Sequence, residues 1–425
     1  MRVRLADTLL AEIDASREEL LAFLTGFVRT PTANPPGDTQ AGAAYLAAFL
    51  DARALPHRVI APKPEMPNLL ASFDTGSSGR HLVLNGHIDV FPPGRDDRWR
   101  HGGPWSGAVE QGRLYGRGTA DMKCGTVASF ITYALLAKHQ ASLAGRLTLT
   151  AVSDEETGGK WGTCYLFEHH REAVAGDCCL NGEPSSAHTV RYGEKTPMWL
   201  VFTAKARGAH GAYVHMSASA TKIINRLITA LEQLTTIKPQ MPAAVARNLA
   251  DPAVRKALDD GLGKGAADLV AEVSVNIGMV EGGLKTNMIP SQCRLEADVR
   301  LPVGVSKQQV RAELARILKE FPEVTLEEVS HPEHEANWCD PDGEMLRHIQ
   351  VAAERVTGIR PVPVVTLALT DARFWRLAGV PAYIYGCSPD RMGTYDESVA
   401  LDEFLNVVRV HALSAAAYLA RGERP

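Results

Sequence analysis

Two short segments of the sequence carry side chains that could bind a metal ion and move protons. His87 and Asp89 form a His-x-Asp pair after an apolar run, a spacing that lets the imidazole bind a metal while the nearby carboxylate orients the ring or raises its basicity. Asp154, Glu155 and Glu156 follow another apolar run, and their charges would repel one another at a partly buried site unless a cation neutralised them. Both segments indicate a metal site, although a surface histidine and a solvated acidic turn would also explain them.

Two further acids lie in comparable positions. Asp121 follows the glycine turn Gly116-Arg-Gly and opens a helical run, and Glu183 lies in Asn-Gly-Glu-Pro after a third apolar run. A helix N-cap would explain Asp121 alone, and a loop acid would explain Glu183 alone. The four segments nevertheless follow one another at the carboxyl ends of predicted strands, where open α/β sheets place their sites. Their combination favours one shared site over four unrelated features.

The elements around these segments predict an α/β fold. Strands are indicated by apolar runs at 81–87, 147–152 and 178–181, each of which leads into a polar turn. A helical run covers about 122–136, and helical apolar spacing also covers about 9–28 and 40–50. Because strands alternate with helices, we predict a mostly parallel sheet.

The central part of the chain has a different pattern. Strand-like runs at 199–204, 273–280 and 293–301 and helical runs at 220–234 and 307–321 predict a compact α+β unit with antiparallel pairing. The first kind of pattern resumes at 342–356. The sequence therefore predicts a catalytic domain over residues 1–195 and 330–425, interrupted by an inserted domain over residues 196–329. Two domains also suit a chain of 425 residues, which is longer than one core usually supports.

Composition disfavours several kinds of partner. The formal net charge is -4 and the basic residues are scattered, so the sequence lacks the positive surface that nucleic acid requires. No apolar run reaches about 18 residues, and acids interrupt the apolar positions of the N-terminal segment, so we expect no membrane span and a cytoplasmic protein. The seven cysteines show no CxxC spacing, which disfavours a disulfide framework and a cysteine zinc site.

Four motifs together resemble the M20 metallopeptidases and deacylases, which include acetylornithine deacetylase, succinyl-diaminopimelate desuccinylase, aminoacylase and carboxypeptidase G. They are Asn85-Gly-His-Ile-Asp-Val, Gly112-Arg-Leu-Tyr-Gly-Arg-Gly-Thr-Ala-Asp-Met-Lys, Ser153-Asp-Glu-Glu-Thr-Gly and Gly182-Glu-Pro-Ser-Ser. Three segments resemble later parts of the family, namely Gly208-Ala-His-Gly and Gly282-Gly-Leu-Lys-Thr-Asn-Met-Ile-Pro of its lid and dimerisation domain, and Thr370-Asp-Ala-Arg-Phe of its catalytic domain. The resemblance covers nearly the whole chain.

This resemblance implies a metal centre and a catalytic base. His87, Asp121 and Glu183 would bind one metal ion, and Asp121 would bridge to a second ion held by Glu156 and a C-terminal histidine. Glu155 would be the general base, which takes a proton from the attacking water and delivers it to the leaving amine. Zinc, manganese and cobalt all suit ligands of this kind, with one or two ions per chain.

The resemblance also implies a homodimer whose lid domains complete the active site. His210 would reach across from the partner subunit to stabilise the oxyanion, with a plain surface histidine as the alternative. Asn287 and Arg300 match lid positions that can contact the carboxylate end of a substrate, and a strand salt bridge is the alternative for Arg300. Arg373, in the late motif, is a further candidate for substrate binding.

The expected C-terminal histidine is missing from its place in the family pattern. The family has a segment like Ala-His-x-Pro-Asp-Glu, but this chain reads Arg-Met-Gly-Thr-Tyr-Asp-Glu, so Gly393 or Thr394 takes the place of the histidine. Three interpretations stay open: one metal suffices, the second site has degenerated, or another residue completes it. Candidates for that residue are Tyr395, Asp396 and a distant histidine such as His411.

These features predict a metal-dependent hydrolase that cleaves an amide-type C–N bond in a small molecule with a carboxylate. A dipeptidase or carboxypeptidase would use the same chemistry. The altered C-terminal segment suggests a further alternative, an aminohydrolase that uses a single metal to release an amine from an unusual C–N bond such as an aromatic one. Outside the enzymes, the alternative is a non-catalytic binding protein, which would have no need of the base Glu155.

Overall fold

The computed structural model describes residues 2–329 and 334–421 of the chain. The strands in these ranges are β1 His57–Ile60, β2 Asn68–Asp74, β3 His81–His87, β4 Ala108–Glu110, β5 Arg113–Tyr115, β6 Arg146–Val152, β7 Cys178–Asn181, β8 Thr189–Glu194, β9 Thr196–Lys205, β10 Ala209–His210, β11 Ser274–Gly282, β12 Met288–Ile289, β13 Gln292–Leu301, β14 Val324–Val329, β15 Asn337–Trp338, β16 Val362–Thr366, β17 Ala382–Ile384 and β18 Ser398–Ala400. The helices are α1 Arg2–Ala15, α2 Arg17–Val28, α3 Gln40–Asp51, α4 Cys124–Lys138, α5 Thr163–His169, α6 Arg171–Val174, α7 Ala220–Leu231, α8 Ala243–Ala250, α9 Pro252–Leu262, α10 Ala266–Leu269, α11 Lys307–Leu318, α12 Glu344–Thr357, α13 Ala372–Leu377 and α14 Leu401–Tyr418.

A nine-stranded sheet forms the larger part of the molecule. Its strand order is β1-β2-β6-β3-β7-β17-β8-β15, with β16 beside β8. The middle strands β6, β3, β7 and β17 run parallel. Leu82 and Leu84 of β3 belong to the main core with α4 and α14, whereas Val83 packs with α13 on the opposite face. Burial on both faces explains why an unbroken apolar run marks this strand, and the predicted α/β fold with a mostly parallel sheet is confirmed.

The second main sheet contains β11, β13, β9 and β14 in that order, and all its ladders are antiparallel. Strand β13 alternates between buried and partly exposed residues, because one face packs on a separate core with α7 and α11. Helix α11 begins with a capping box in which Ser306 and Gln309 satisfy each other's backbone N–H groups. The α+β pattern read from residues 196–329 therefore corresponds to an antiparallel sheet with helices on one face.

Helices α8 to α10 lie within the predicted insertion but pack elsewhere. Val245 and Leu249 of α8 and Val254 and Leu258 of α9 join the core of the large sheet. Helix α9 contacts β16 and β8 directly. Their apolar spacing indicates a buried face but not which core receives it. The boundary after residue 195 falls between β8 and β9, and the boundary near residue 330 lies outside the described residues, so the domain limits stay a prediction.

The structure refines the predicted N-terminal helix. The helical pattern over about 9–28 corresponds to two helices, α1 and α2, separated at Ser16. Within the described ranges, no helix is long and apolar enough to cross a lipid bilayer.

Candidate metal centre and catalytic site

Three adjacent strands of the large sheet end at one edge and position most of the site. His87 is the last residue of β3, and Glu183 follows the end of β7. The turn after β6 carries Glu155 and Glu156. Because β6, β3 and β7 are parallel neighbours, their carboxyl ends meet. Asp121 comes from the loop between β5 and α4, and the edge of the sheet thus gathers residues that are far apart in sequence.

The His87 ring is held in the orientation that suits a metal ligand. Its Nδ1 lies 2.7 Å from the backbone oxygen of Asp89, so Nδ1 donates a hydrogen bond to that carbonyl. Nε2 lies 3.2 Å from Oδ1 of Asp121 and 3.3 Å from Oε1 of Glu183. Because Nδ1 is committed to that carbonyl, Nε2 is the ring nitrogen that faces the two carboxylates and that would bind a metal ion held between them.

The Asp89 carboxylate mainly fixes the acidic turn after β6. Its oxygens accept hydrogen bonds from the backbone N–H groups of Glu155 and Glu156, both at 3.2 Å. They also accept a hydrogen bond of 2.8 Å from Nδ2 of Asn34. The nearest carboxylate oxygen is 3.7 Å from Nδ1 of His87. Asp89 therefore orients the imidazole chiefly through its backbone oxygen, and its carboxylate positions the two glutamates.

The side chains at this edge fit a divalent cation. Ligand atoms of His87, Asp121 and Glu156 lie within 4.8 Å of one another, and the same holds for His87, Glu155 and Glu183. Oε1 of Glu156 is buried and has no hydrogen-bond partner among the described residues. A cation would supply that partner and neutralise the carboxylates, and one imidazole with several carboxylate oxygens suits zinc, manganese or cobalt.

The pKa shifts of the glutamates reflect the same crowding. Burial, followed by the charge of Glu183, raises the pKa of Glu155 well above its ordinary value. Burial and the charge of Asp121 do the same for Glu156. For Glu183, burial and the charge of Asp121 raise the pKa to about 7. Each shift means that ionising these acids together is unfavourable unless a positive charge lies between them.

Glu397 and Arg117, to which no role was assigned from the sequence, hold the Asp121 loop. Oε1 of Glu397 accepts hydrogen bonds from the backbone N–H groups of Ala120 at 2.9 Å and Asp121 at 3.2 Å. Its other oxygen pairs with Arg117 at 2.5 Å, and Arg117 also donates to the backbone oxygen of Gly393 at 3.2 Å. Glu397 belongs to the Asp-Glu pair on which the C-terminal segment aligns with the family, and that alignment was the available signal.

The candidate substrate arginines occupy different surroundings. Nη1 of Arg373 lies 3.5 Å from Oε1 of Glu155, and Nη2 donates to the backbone oxygen of Gly158 at 2.9 Å. Nε of Arg300 bonds to both carboxylate oxygens of Asp298, at 2.9 and 3.0 Å, on the smaller sheet. Arg373 thus joins the metal-site cluster, whereas Arg300 does not.

His210 and Asn287 belong to a small hairpin-like pair of strands. β10 and β12 pair antiparallel, with His210 opposite Met288. The imidazole is exposed, and its Nδ1 accepts a hydrogen bond of 3.2 Å from the backbone N–H of Ala212. The backbone oxygen of Asn287 accepts from Gly211 at 2.7 Å. Among the described residues, neither side chain is hydrogen-bonded to the metal-site cluster.

Comparison with known proteins decides the family. A sequence profile of peptidase family M20/M25/M40 matches residues 83–417. This chain belongs to that family. Membership of the family and the arrangement of the site together confirm the predicted class, a metal-dependent hydrolase of carbon–nitrogen bonds.

Individual M20 relatives are similar over most of their length. A succinyl-diaminopimelate desuccinylase from Cereibacter sphaeroides is 29% identical over 345 residues, which cover 79% of this chain and 82% of that protein. The structure of an M20 family metallo-carboxypeptidase from Sulfolobus solfataricus superimposes with a TM-score of 0.79 at 15% identity, over 94% of this chain and 99% of that one. A di-peptidase from Saccharomyces cerevisiae gives 0.76 at 14% identity, over 97% and 98%. The two structural likenesses support the M20 fold.

The residues proposed to replace the missing M20 histidine make other contacts. Asp396 accepts a hydrogen bond of 2.8 Å from the backbone N–H of Arg100. The Tyr395 hydroxyl accepts one of 3.4 Å from the backbone N–H of Arg95. His411 is fully buried in α14, and its Nε2 donates to the backbone oxygen of Tyr385 at 2.6 Å. Neither Asp396 nor His411 belongs to a metal-binding group in the described ranges.

Proposed function

We propose that this M20 protein is a deacylase that hydrolyses an amide-type bond in a small substrate bearing a carboxylate. The observation that carries the proposal is the convergence of His87, Asp121, Glu155, Glu156 and Glu183 at the carboxyl edge of the parallel strands. Support for a carboxylate-bearing substrate comes from the desuccinylase to which the chain is similar.

The metal-binding residues in this proposal are His87, Asp121 and Glu183, with Glu156 available to the same or a second ion. A bound divalent cation supplies Lewis acidity, which polarises a carbonyl group and lowers the pKa of a water molecule. The Nδ1 hydrogen bond to Asp89 keeps the His87 ring oriented toward the ion. Asp89 also keeps the two glutamates of the turn in place through their backbone N–H groups.

Glu155 is the proposed general base. It lies between Asp154 and Glu156 in the acidic turn, and Nη1 of Arg373 lies 3.5 Å from its carboxylate. In the reaction, Glu155 removes a proton from the attacking water and then delivers that proton to the nitrogen of the leaving amine. The water oxygen forms the new bond to the carbonyl carbon, and the C–N bond breaks as the amine leaves.

A homodimer would complete the site from the smaller sheet. His210 of one copy would donate a hydrogen bond to the oxyanion in the other copy, and Asn287 and Arg300 would contact the far end of the substrate. Support comes from the edge strand β11 and the loop after it, where Val280 is 51% exposed and Leu284 is 90% exposed. Unpaired strand edges and exposed apolar side chains of this kind favour association with a second copy.

A second candidate function is an aminohydrolase that works with a single metal ion. The observation that favours it is the absence of the M20 histidine at Gly393. The side chains of Tyr395, Asp396 and His411 do not replace it, because each is hydrogen-bonded to a backbone group elsewhere. A dipeptidase and a non-catalytic binding protein are the remaining outcomes that an experiment must separate.

The experiment combines elemental analysis with a substrate panel. The protein and its Glu156→Gln and Glu183→Gln variants are loaded with zinc, manganese or cobalt and assayed on N-succinyl and N-acetyl amino acids, dipeptides and aromatic amines. Hydrolysis of the N-acyl compounds supports the deacylase, and preference for dipeptides or aromatic amines supports the respective alternative. A single-metal site is supported if the protein binds one ion per chain, Glu156→Gln retains that ion and Glu183→Gln loses it. Bound metal without turnover of any compound contradicts an enzyme of this class.

A further inference from the structure

Arg191 is a buried arginine whose charged group has no hydrogen-bond partner in the described part of the chain. It lies in β8 and is 4% exposed. The next residue, Tyr192, points into the main core and donates to Asn248 at 2.9 Å. Because neighbouring residues of a strand face opposite sides, the Arg191 side chain leaves the sheet on the other face. Its only hydrogen bond among the described residues, apart from the strand ladders, is through its backbone oxygen, which accepts from Arg376 at 3.3 Å.

The other buried arginines in the described ranges all have acceptors for their guanidinium groups. Arg117 pairs with Glu397, and Arg373 bonds to Gly158 and faces Glu155. Arg376 donates to Ala382, Asn337 and Glu194. A guanidinium offers five N–H donors, and leaving them unpaired in a buried position is costly. Nε of Arg117 and Nε of Arg373 are also unpaired. Arg191 differs from the other three because none of its guanidinium nitrogens has a hydrogen-bond partner among the described residues.

The strand register places Arg191 near the metal centre, because Arg191 lies opposite Ile384 of β17, and Ile384 lies opposite Asn181 of β7, two residues before Glu183. Burial lowers the pKa of Arg191, and the negative charges of Glu183, Glu194 and Asp121 oppose this shift. Glu194 is already shared by Arg376 and Thr370. A divalent cation bound by Asp121 and Glu183 would neutralise the negative charges of both carboxylates. Arg191 would then be left without its compensating charges, and its affinity for an anion would increase when the metal binds.

We propose that Arg191 binds a carboxylate of the substrate close to the metal ligand Glu183, whereas Asn287 and Arg300 would contact the far end of the same molecule. This inference rests on the proposed function, whose substrate carries a carboxylate. A guanidinium binds a carboxylate through two parallel N–H donors, which gives both affinity and orientation. The ligand class is therefore a small carboxylate, and Arg191 determines specificity without acting on the scissile bond.

Calorimetric titration of the zinc-loaded full-length protein tests this role without turnover. The probes are succinate and its uncharged diamide, succinamide, which differ in charge but hardly in shape. The variants are Arg191→Met, Arg191→Lys and a control, Arg409→Met, which removes an arginine that pairs with Asp14 on the surface. Zinc content and circular dichroism are measured on each protein.

We expect the unmodified protein to prefer succinate, and Arg191→Met to lose at least about tenfold in succinate affinity while its succinamide affinity and zinc content stay the same. Arg409→Met should behave like the unmodified protein. Equal succinate affinity in Arg191→Met, loss of its zinc, or no succinate binding by the unmodified protein overturns the proposal. If Arg191→Met does not fold, Arg191→Lys is used instead. The proposal predicts that this variant binds succinate more weakly than the unmodified protein, and unchanged binding refutes the proposal. Failure of the substrate panel alongside Arg191-dependent succinate binding would overturn only the hydrolase function.

Discussion

Nη1 of Arg373 lies 3.5 Å from Oε1 of Glu155, and both side chains are largely buried. The second guanidinium nitrogen is fixed by the backbone oxygen of Gly158, in the same turn as Glu155. Oδ1 of Asp371 lies 3.8 Å from the same Nη1 of Arg373. This arrangement places a rigid cation against the proposed base, so Arg373 can set the direction in which the Glu155 carboxylate points.

Replacing Arg373 should therefore slow the chemical step more than it weakens substrate binding. We expect Arg373→Met to lower kcat by about 10- to 100-fold, since a misplacement of about 1 Å in a catalytic group can cost that much, with KM nearly unchanged. Arg373→Lys should recover part of the rate. Steady-state kinetics with Arg409→Met as the control measures this, and a large rise in KM at constant kcat would instead support the substrate-binding role predicted from the sequence.

Variants of Glu155 and Glu183 should separate an effect on catalysis from an effect on metal binding. Glu155→Gln keeps the shape of the side chain but cannot accept a proton, so kcat should fall by about 10²- to 10⁴-fold with the metal retained. Glu183→Gln should lose metal, because Glu183 is a proposed ligand whose Oε1 lies 3.3 Å from Nε2 of the other proposed ligand, His87. Parallel measurements of metal content and turnover check both variants. Activity retained in Glu155→Gln would exclude it as the base.

The sequence was sufficient to predict the α/β fold and the residues at the edge of the sheet. The reason is local: His87, Glu155 and Glu183 each follow an apolar run directly, and parallel strands bring such positions together. The segment of Asp121 is marked by its glycine turn. Each of these residues can be recognised from the few residues around it, so little information from distant parts of the chain was needed.

The supporting contacts could not be predicted in the same way. Asn34 lies in a Pro-rich loop that reads only as the end of a helix, yet its side chain bonds to Asp89. Glu397 is 276 positions from Asp121, whose backbone it holds. Arg373 lies in a motif and Arg191 does not, but only the packing shows that the Arg373 guanidinium is paired and the Arg191 guanidinium is not. The partners of these side chains are set by long-range packing, which a local sequence pattern does not specify.

Removal of the metal should lower the thermal stability of the protein. Without a cation, the neighbouring carboxylates of Asp121, Glu156 and Glu183 oppose one another in a buried site. A ligand at 100 times its Kd contributes about 2.7 kcal/mol, so zinc should raise Tm by roughly 3–8 °C over the chelated protein. Calorimetry with and without chelator measures the shift. Glu183→Gln should show little response, and an equal response would place the stabilising metal elsewhere.

If His210 acts in the partner's site, two inactive variants should complement each other. Dimers of Glu155→Gln and dimers of His210→Ala should both be slow, but a mixed dimer has one site with an intact Glu155 and an intact His210 from the other copy. Reversible mixing of equal amounts should restore about a quarter of the full activity, as expected for random C2 pairing. No recovery after verified exchange of subunits would mean that His210 acts within its own chain or not at all.

His411 should make the protein less stable in acid. Burial lowers its pKa from 6.5 to about 4, and the hydrogen bond to Tyr385 offsets only part of this shift. Because the folded pKa is below the unfolded one, the unfolded chain binds a proton first, and the free energy of unfolding decreases as the pH falls from 6.5 to 4. The full effect is about 3 kcal/mol, converted at about 1.4 kcal/mol per pKa unit.

The variant His411→Gln can keep the donor to Tyr385 but cannot titrate. Its free energy of unfolding, measured by urea titrations between pH 7 and 4, should therefore depend less on pH than that of the unmodified protein. The exposed His169→Gln is the control, and parallel curves for the unmodified protein and His411→Gln would show that His411 does not cause the acid sensitivity.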